Sequence, residues 1–198
     1  MIQNKDEEWS YEIRVFLSSN HKKERMPYIT GRAVDYKKYI LDSFHFHWGN
    51  NDFNGSEHSI NGVFRSAEVH LVHYNELYGN ISNAINKTDG LVVITIFIET
   101  KVITDFGFIE VNDINNQVIT PITKELYRIK KFDSYVNLNL PISLKDLLPK
   151  NKNLFYRYSG SLTTPPCSQS VVFIIFVDPL YISSSQVIIY KQLVDNRL

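Results

Sequence analysis

FHFHWG, residues 44–49, places two histidines two positions apart inside an aromatic run. On a β-strand, residues i and i+2 share a face. His45 and His47 therefore project together, while Phe44, Phe46 and Trp48 face the other way. Imidazole is polar at both nitrogens, so a pair of them on one face of a buried strand calls for a chemical reason. A second stretch, AEVHLVHYN (67–75), repeats the alternation and puts Glu68 and His70 on a common face. The interval between His47 and His70 is long enough for the chain to run out through a loop and return. Two neighbouring antiparallel strands can thus bring three imidazoles to one point.

Three neutral imidazole nitrogens plus water form a catalytic zinc site with an open fourth position. A carboxylate on the face of the third ligand, as Glu68 is, suits the free ring N–H of that ligand and fixes its tautomer. A His-x-His pair alone is as readily structural. The matching Glu-x-His is what singles this pair out.

The totals fit this picture. A chain of 198 residues with 43% hydrophobic and 13% aromatic content is globular in composition and long enough for one domain with a sizeable core. The 21 basic residues balance the 21 acidic ones, which gives no electrostatic ground for nucleic acid or an anionic membrane as partner. No apolar run approaches the roughly 20 residues that span a bilayer. No repeat, low-complexity tract or Gly/Ser linker interrupts the chain, so one domain over 1–198 is expected. Strand candidates are YEIRVFL (11–17), YILDSFHFHW (39–48), SAEVHLVHYN (66–75), GLVVITIFIE (90–99) and QSVVFIIFV (169–177). Helix signals are few: short turns over 81–87 and 143–148, and a capping box, Ser183 to Gln186, ahead of VIIYKQL. The fold class expected is mainly β, a large twisted and mostly antiparallel sheet with a few short helices, because no regular crossover helices separate the strands.

The segment YSGSLTTPPC (158–167) completes a pattern. Together with FHFHWG, GSEHSING (55–62), AEVHLVHYN and DGLVVITIFIE (89–99), it resembles the signatures of the α-class carbonic anhydrases in order and spacing, from about residue 28 to residue 193. The resemblance implies that family's fold and activity, the zinc-dependent reversible hydration of carbon dioxide to bicarbonate and a proton. It implies Zn2+ held by His45, His47 and His70, with Glu68 accepting from His70. It implies that Thr163 accepts a hydrogen bond from the attacking hydroxide and passes its own proton to Glu57, while Thr164 contacts bicarbonate. The apolar wall for carbon dioxide would be Val72, Val93, Leu162, Val171 and Phe173, the last standing where relatives commonly carry tryptophan. His58, His73 and Tyr158 match positions that are structural in the family. His21, in SSNHKKERM, reads as a solvated loop residue.

Several departures qualify that expectation. Compared with the family, the chain is shortened at both ends. Ser10 or Tyr11 stands near the place of the proton-shuttle histidine, and neither titrates near neutral pH, so turnover is expected to be slow. Ser43 stands where many relatives have a glutamine bonded to the first ligand. Cys167 occupies a position that pairs, in extracellular members, with a cysteine near the N-terminus, and here it has no second cysteine to join. Three sequons, at Asn54, Asn80 and Asn86, fit a glycoprotein of secreted descent, whereas the polar MIQNKDEEWS start has no signal-peptide character; a cytoplasmic location is the alternative. The alternative function is a catalytically weak or inactive carbonic anhydrase-related binding or adhesion domain. Partner proteins are not legible in the residues.

Overall fold

β-Branched and aromatic residues crowd the segments bounded by Gly, Asn, Asp and Pro, and these become the strands of one large twisted sheet. The computed structural model describes residues 2–7, 10–16, 26–49, 53–104, 107–110, 115–129, 134–137 and 142–187, with side chains left out for 2–12 and 101–110. The strands are β1 (Ile2–Glu7), β2 (Ser10–Phe16), β3 (Tyr28–Ile29), β4 (Tyr39–Trp48), β5 (Ala67–Asn75), β6 (Leu91–Glu99), β7 (Lys101–Thr104), β8 (Gly107–Glu110), β9 (Tyr135–Val136), β10 (Phe155–Gly160) and β11 (Val171–Tyr181). Nine of them form the main sheet in the order β10-β11-β6-β5-β4-β2-β1-β9, with β3 paired to β4; β7 and β8 make a separate hairpin. All main-sheet pairings are antiparallel except β6 with β11. That exception has a simple origin. The long excursion between Glu99 and Val171 returns the chain in its original direction, as a parallel neighbour requires.

The expected strands over 39–48, 66–75 and 90–99 agree with β4, β5 and β6 to within a residue at either end. β11 runs on to Tyr181 past Pro179, where a residue without an N–H forces the register shift seen between Phe176 and Leu180. The helices are short: α1 (Ile81–Ala84), α2 (Thr120–Leu126) and α3 (Leu144–Leu147). The capping box is present in both directions. Gln186 N donates to Ser183 Oγ (3.2 Å), and Ser183 N donates to Gln186 Oε1 (3.3 Å). The remainder of VIIYKQL beyond Val187 lies outside the described residues, as do Leu17 and His21.

Both faces of the sheet are covered. One carries the larger core, with Phe44, Phe46 and Trp48 of β4, Val69 and Leu71 of β5, and Ile94, Ile96 and Ile98 of β6 packed beneath Ile122 and Leu126 of α2 and Leu147 of α3. The other carries Ile40, Val72, Val93, Phe97, Val171, Phe173 and Ile175. β4 changes its allegiance part-way. Its register to β5 shifts between Leu41 and Ser43, leaving Asp42 as an extra residue. Before this bulge, Leu41 belongs to the larger core and Ile40 to the opposite face. After it, the even-numbered Phe44, Phe46 and Trp48 take over the larger core, which turns Ser43, His45 and His47 to the other side.

Candidate metal centre

The register across the sheet decides the site. His45 is directly opposite His70 on β5, and His47 directly opposite Glu68. Residues facing one another across antiparallel strands share a face, so three imidazoles meet in the middle of the sheet. Their ring centroids are 4.8 Å (His45–His47), 5.1 Å (His45–His70) and 4.8 Å (His47–His70) apart. Each offers a ring nitrogen, the three nitrogens lying within 4.8 Å of one another, so the group could hold a metal ion.

The chemistry of these side chains fits such an ion. His45, His47 and His70 are only 7%, 3% and 3% exposed. Burial holds the His45 imidazole well below its ordinary pKa, the neighbouring His47 adding to the effect. Burial likewise pushes His47 down to about 3. These two rings are therefore neutral, with lone pairs to give. Both nitrogens of His47 are buried without a hydrogen-bond partner, an arrangement a protein rarely tolerates unless something else occupies the lone pair. Its Nε2 is 3.4 Å from Glu57 Oε2.

Behind His70 lies a chain of hydrogen bonds. Glu68, fully buried, accepts from His70 Nε2 and, on the same oxygen, from His58 Nδ1 at 2.9 Å. Its other oxygen accepts from the His58 backbone N–H at 3.0 Å. Burial alone would raise this carboxyl, but His70 and the hydrogen bonds from His58 and His70 hold it well below the usual carboxylate range. A carboxylate only accepts, so both rings must donate to it. That leaves His70 Nδ1 with its lone pair toward the centre and His58 Nε2 as acceptor for the Tyr158 hydroxyl, 2.7 Å away. Tyr158 stacks on Phe173, with centroids 4.9 Å apart and planes 10° apart, which fixes the end of the chain. His73 Nδ1 donates to Leu71 O (2.9 Å), a bond of purely structural kind.

Glu57 arrives from the loop before β5. Gly55 N and Ser56 N both donate to Arg65 O (2.9 and 3.1 Å), and a Cβ on Gly55 would stand 1.9 Å from Ser66 O. Only glycine permits this close approach. The loop thereby brings Glu57 to within 3.8 Å of His70 Nδ1, and Thr163 Oγ1 donates to the same carboxylate oxygen over 3.4 Å. Burial pushes the Glu57 carboxyl up while His70 draws it down.

A cleft of about 160 Å3 opens over the imidazoles. Val72, Val93, Leu162, Thr163, Thr164 and Phe173 line it; Val171 packs in the same apolar cluster without reaching the lining. Arg14, Ser43, Ile81, Ile85, Leu91 and Pro165 complete the wall. Arg14 went unnoticed in the sequence because its facing depends on the β2–β4 register, for which no local signal exists. The Ser43 hydroxyl donates to Asp42 Oδ2 (3.0 Å). Ser10 and Tyr11 belong to β2, but their side chains lie outside the described ones.

A family model of the eukaryotic-type carbonic anhydrases matches residues 2–197. The chain belongs to that family. Among its relatives are human carbonic anhydrase 12, 36% identical over 76% of this chain and 40% of its own length, and human carbonic anhydrase 6, 34% identical over 78% and 47%. Rabbit carbonic anhydrase 1 is 36% identical over 80% of this chain and 62% of its own. The chain thus spans about half the length of the curated relatives it matches. As a member of that family it has the mainly β, mostly antiparallel sheet expected, with one parallel pairing, and among the described residues no helix is long and apolar enough to cross a membrane.

Proposed function

We propose that this carbonic anhydrase is a zinc-dependent lyase that interconverts carbon dioxide and bicarbonate, with His45, His47 and His70 as the ligands. The observation that carries the reading is the convergence of three buried imidazoles beneath a largely apolar cleft whose lining includes Thr163, itself hydrogen-bonded to Glu57. Bound zinc would supply a nucleophile at neutral pH by bringing the pKa of water down to about 7. The remaining work falls to the chain. Glu68 holds the His70 tautomer. Glu57 accepts a hydrogen bond from the Thr163 hydroxyl, so the hydroxyl offers its lone pair to the cleft and orients the attacking hydroxide. Val72, Val93, Leu162 and Phe173 keep a dry surface for a small apolar gas, with Val171 packed behind them, and Thr164 meets the bicarbonate that forms.

Regeneration is the slow part. Apart from the three imidazoles, no described side chain lining the cleft has an ordinary pKa near neutrality, so the proton leaves through water and buffer and turnover rises with buffer concentration. The test is zinc stoichiometry on purified protein, combined with stopped-flow carbon dioxide hydration with and without a sulfonamide. One zinc per chain with inhibitable, buffer-dependent hydration is expected. Folded protein that holds zinc without activity, or holds none, would overturn the reading in favour of a binding domain of this fold.

A further inference from the structure

Arg14 is the cationic side chain in the cleft wall among the described residues. Its position follows from backbone register rather than chance rotamer. β2 pairs with β4 so that Arg14 is directly opposite His45, and His45 directly opposite His70. The three form one row across the sheet on one face, with adjacent strands about 4.8 Å apart. A guanidinium one strand from the imidazoles therefore overhangs the space in which a substrate or product lies. Val72, Val93 and Phe173 line the same cleft from β5, β6 and β11, beyond β4 from Arg14 on β2, so the cavity is cationic toward β2 and apolar toward β11. Its volume of about 160 Å3 is well above the roughly 10–15 Å3 that a cavity needs to hold one water, so it has room for a small anion together with solvent. Arg14 also acts on the Asp42 carboxyl, which it helps hold down against burial, but Asp42 does not line the cleft. A guanidinium has five donors in a planar fork and can serve both.

The geometry points to Arg14 as the anion-selecting residue of this cleft, favouring bicarbonate and small organic carboxylates whose apolar part rests on the apolar side. This rests on the function proposed above for the same site. The probes are benzoate and its neutral isostere benzamide, titrated calorimetrically into zinc-loaded and metal-free protein, wild type against Arg14→Gln and Arg14→Lys, with zinc content measured alongside. Benzoate affinity is expected to fall about tenfold in Arg14→Gln, the scale of one charge-assisted hydrogen bond, and less in Arg14→Lys, which keeps the charge but loses the fork. Benzamide affinity should not change. Equal benzoate affinities in folded variants, or a parallel loss for benzamide, would overturn the inference. If Arg14→Gln does not fold, Arg14→Lys binding benzoate like wild type would overturn it instead. Failure to bind zinc would count against the proposed function alone, since the Arg14-dependent difference must persist in the metal-free proteins.

Discussion

Replacing Glu68 by glutamine changes one oxygen for an NH2 and almost nothing in volume, yet the hydrogen-bond pattern leaves it no good solution. Three donors converge on this carboxylate: His70 Nε2 and His58 Nδ1 on one oxygen, His58 N on the other. With the amide oxygen toward the rings, the new NH2 opposes the His58 backbone N–H. With the amide turned round, it opposes both rings. His58 can escape by exchanging roles with the Tyr158 hydroxyl, but His70 can escape only by moving its proton to Nδ1, the nitrogen proposed to hold the metal. One buried donor left facing another costs about 1–3 kcal/mol. If His70 bears the cost, metal affinity falls by about 10–100-fold, equivalent to about 1.4–2.8 kcal/mol. Competition against a chelator of known zinc affinity at neutral pH, with the melting temperature of metal-free protein measured in parallel, separates the two costs. A folded Glu68→Gln protein with wild-type zinc affinity would refute the tautomer argument.

Removing a proposed ligand should be more severe: His70→Ala is expected to abolish zinc retention through gel filtration while His21→Ala retains it, and equal behaviour would contradict the ligand assignment. His73, buried and lowered to about 4 from 6.5 chiefly by burial, is held neutral in the fold while the unfolded chain protonates it. Its contribution, about 3 kcal/mol, is therefore fully present above pH 6.5 and lost as pH falls toward 4. Denaturant titrations across that window should show a shallower pH slope in His73→Asn than in wild type, and identical slopes would show that the burial argument is wrong. Gly55→Ala, whose Cβ would meet Ser66 O at 1.9 Å, should lose more than about 2 kcal/mol in denaturant unfolding; wild-type stability would mean that the Glu57 loop is not clamped.

The site was more legible than the sheet around it. FHFHWG and EVHLVH are each local, and period-two alternation says that His45 travels with His47 and Glu68 with His70, whereas Thr163 and the apolar wall were legible only through the resemblance to the carbonic anhydrases. What escaped depends on pairing between distant segments. FYRYSG of β10 carries no β-branched residue, and most of it is exposed, so it lacked the apolar run that marks a central strand. The two-residue β3 and β9 are too short for any periodic signal. The parallel β6–β11 contact is a property of where a long excursion returns. Arg14 belongs to the same class: YEIRVFL shows that it alternates, but not which neighbour it would face.

The extra residue at Asp42 works like a deliberate miscount in the chain. With it, the histidines land over the cleft and the phenylalanines over the oily layer behind. Without it, everything upstream of Ser43 would be out of phase with everything downstream. Deleting this one partly exposed aspartate, which is not a neighbour in sequence of any of the three histidines, would thus ask the protein to choose between its hydrophobic interior and its histidine cluster. Trading Asp42 for another residue keeps the count and the choice never arises.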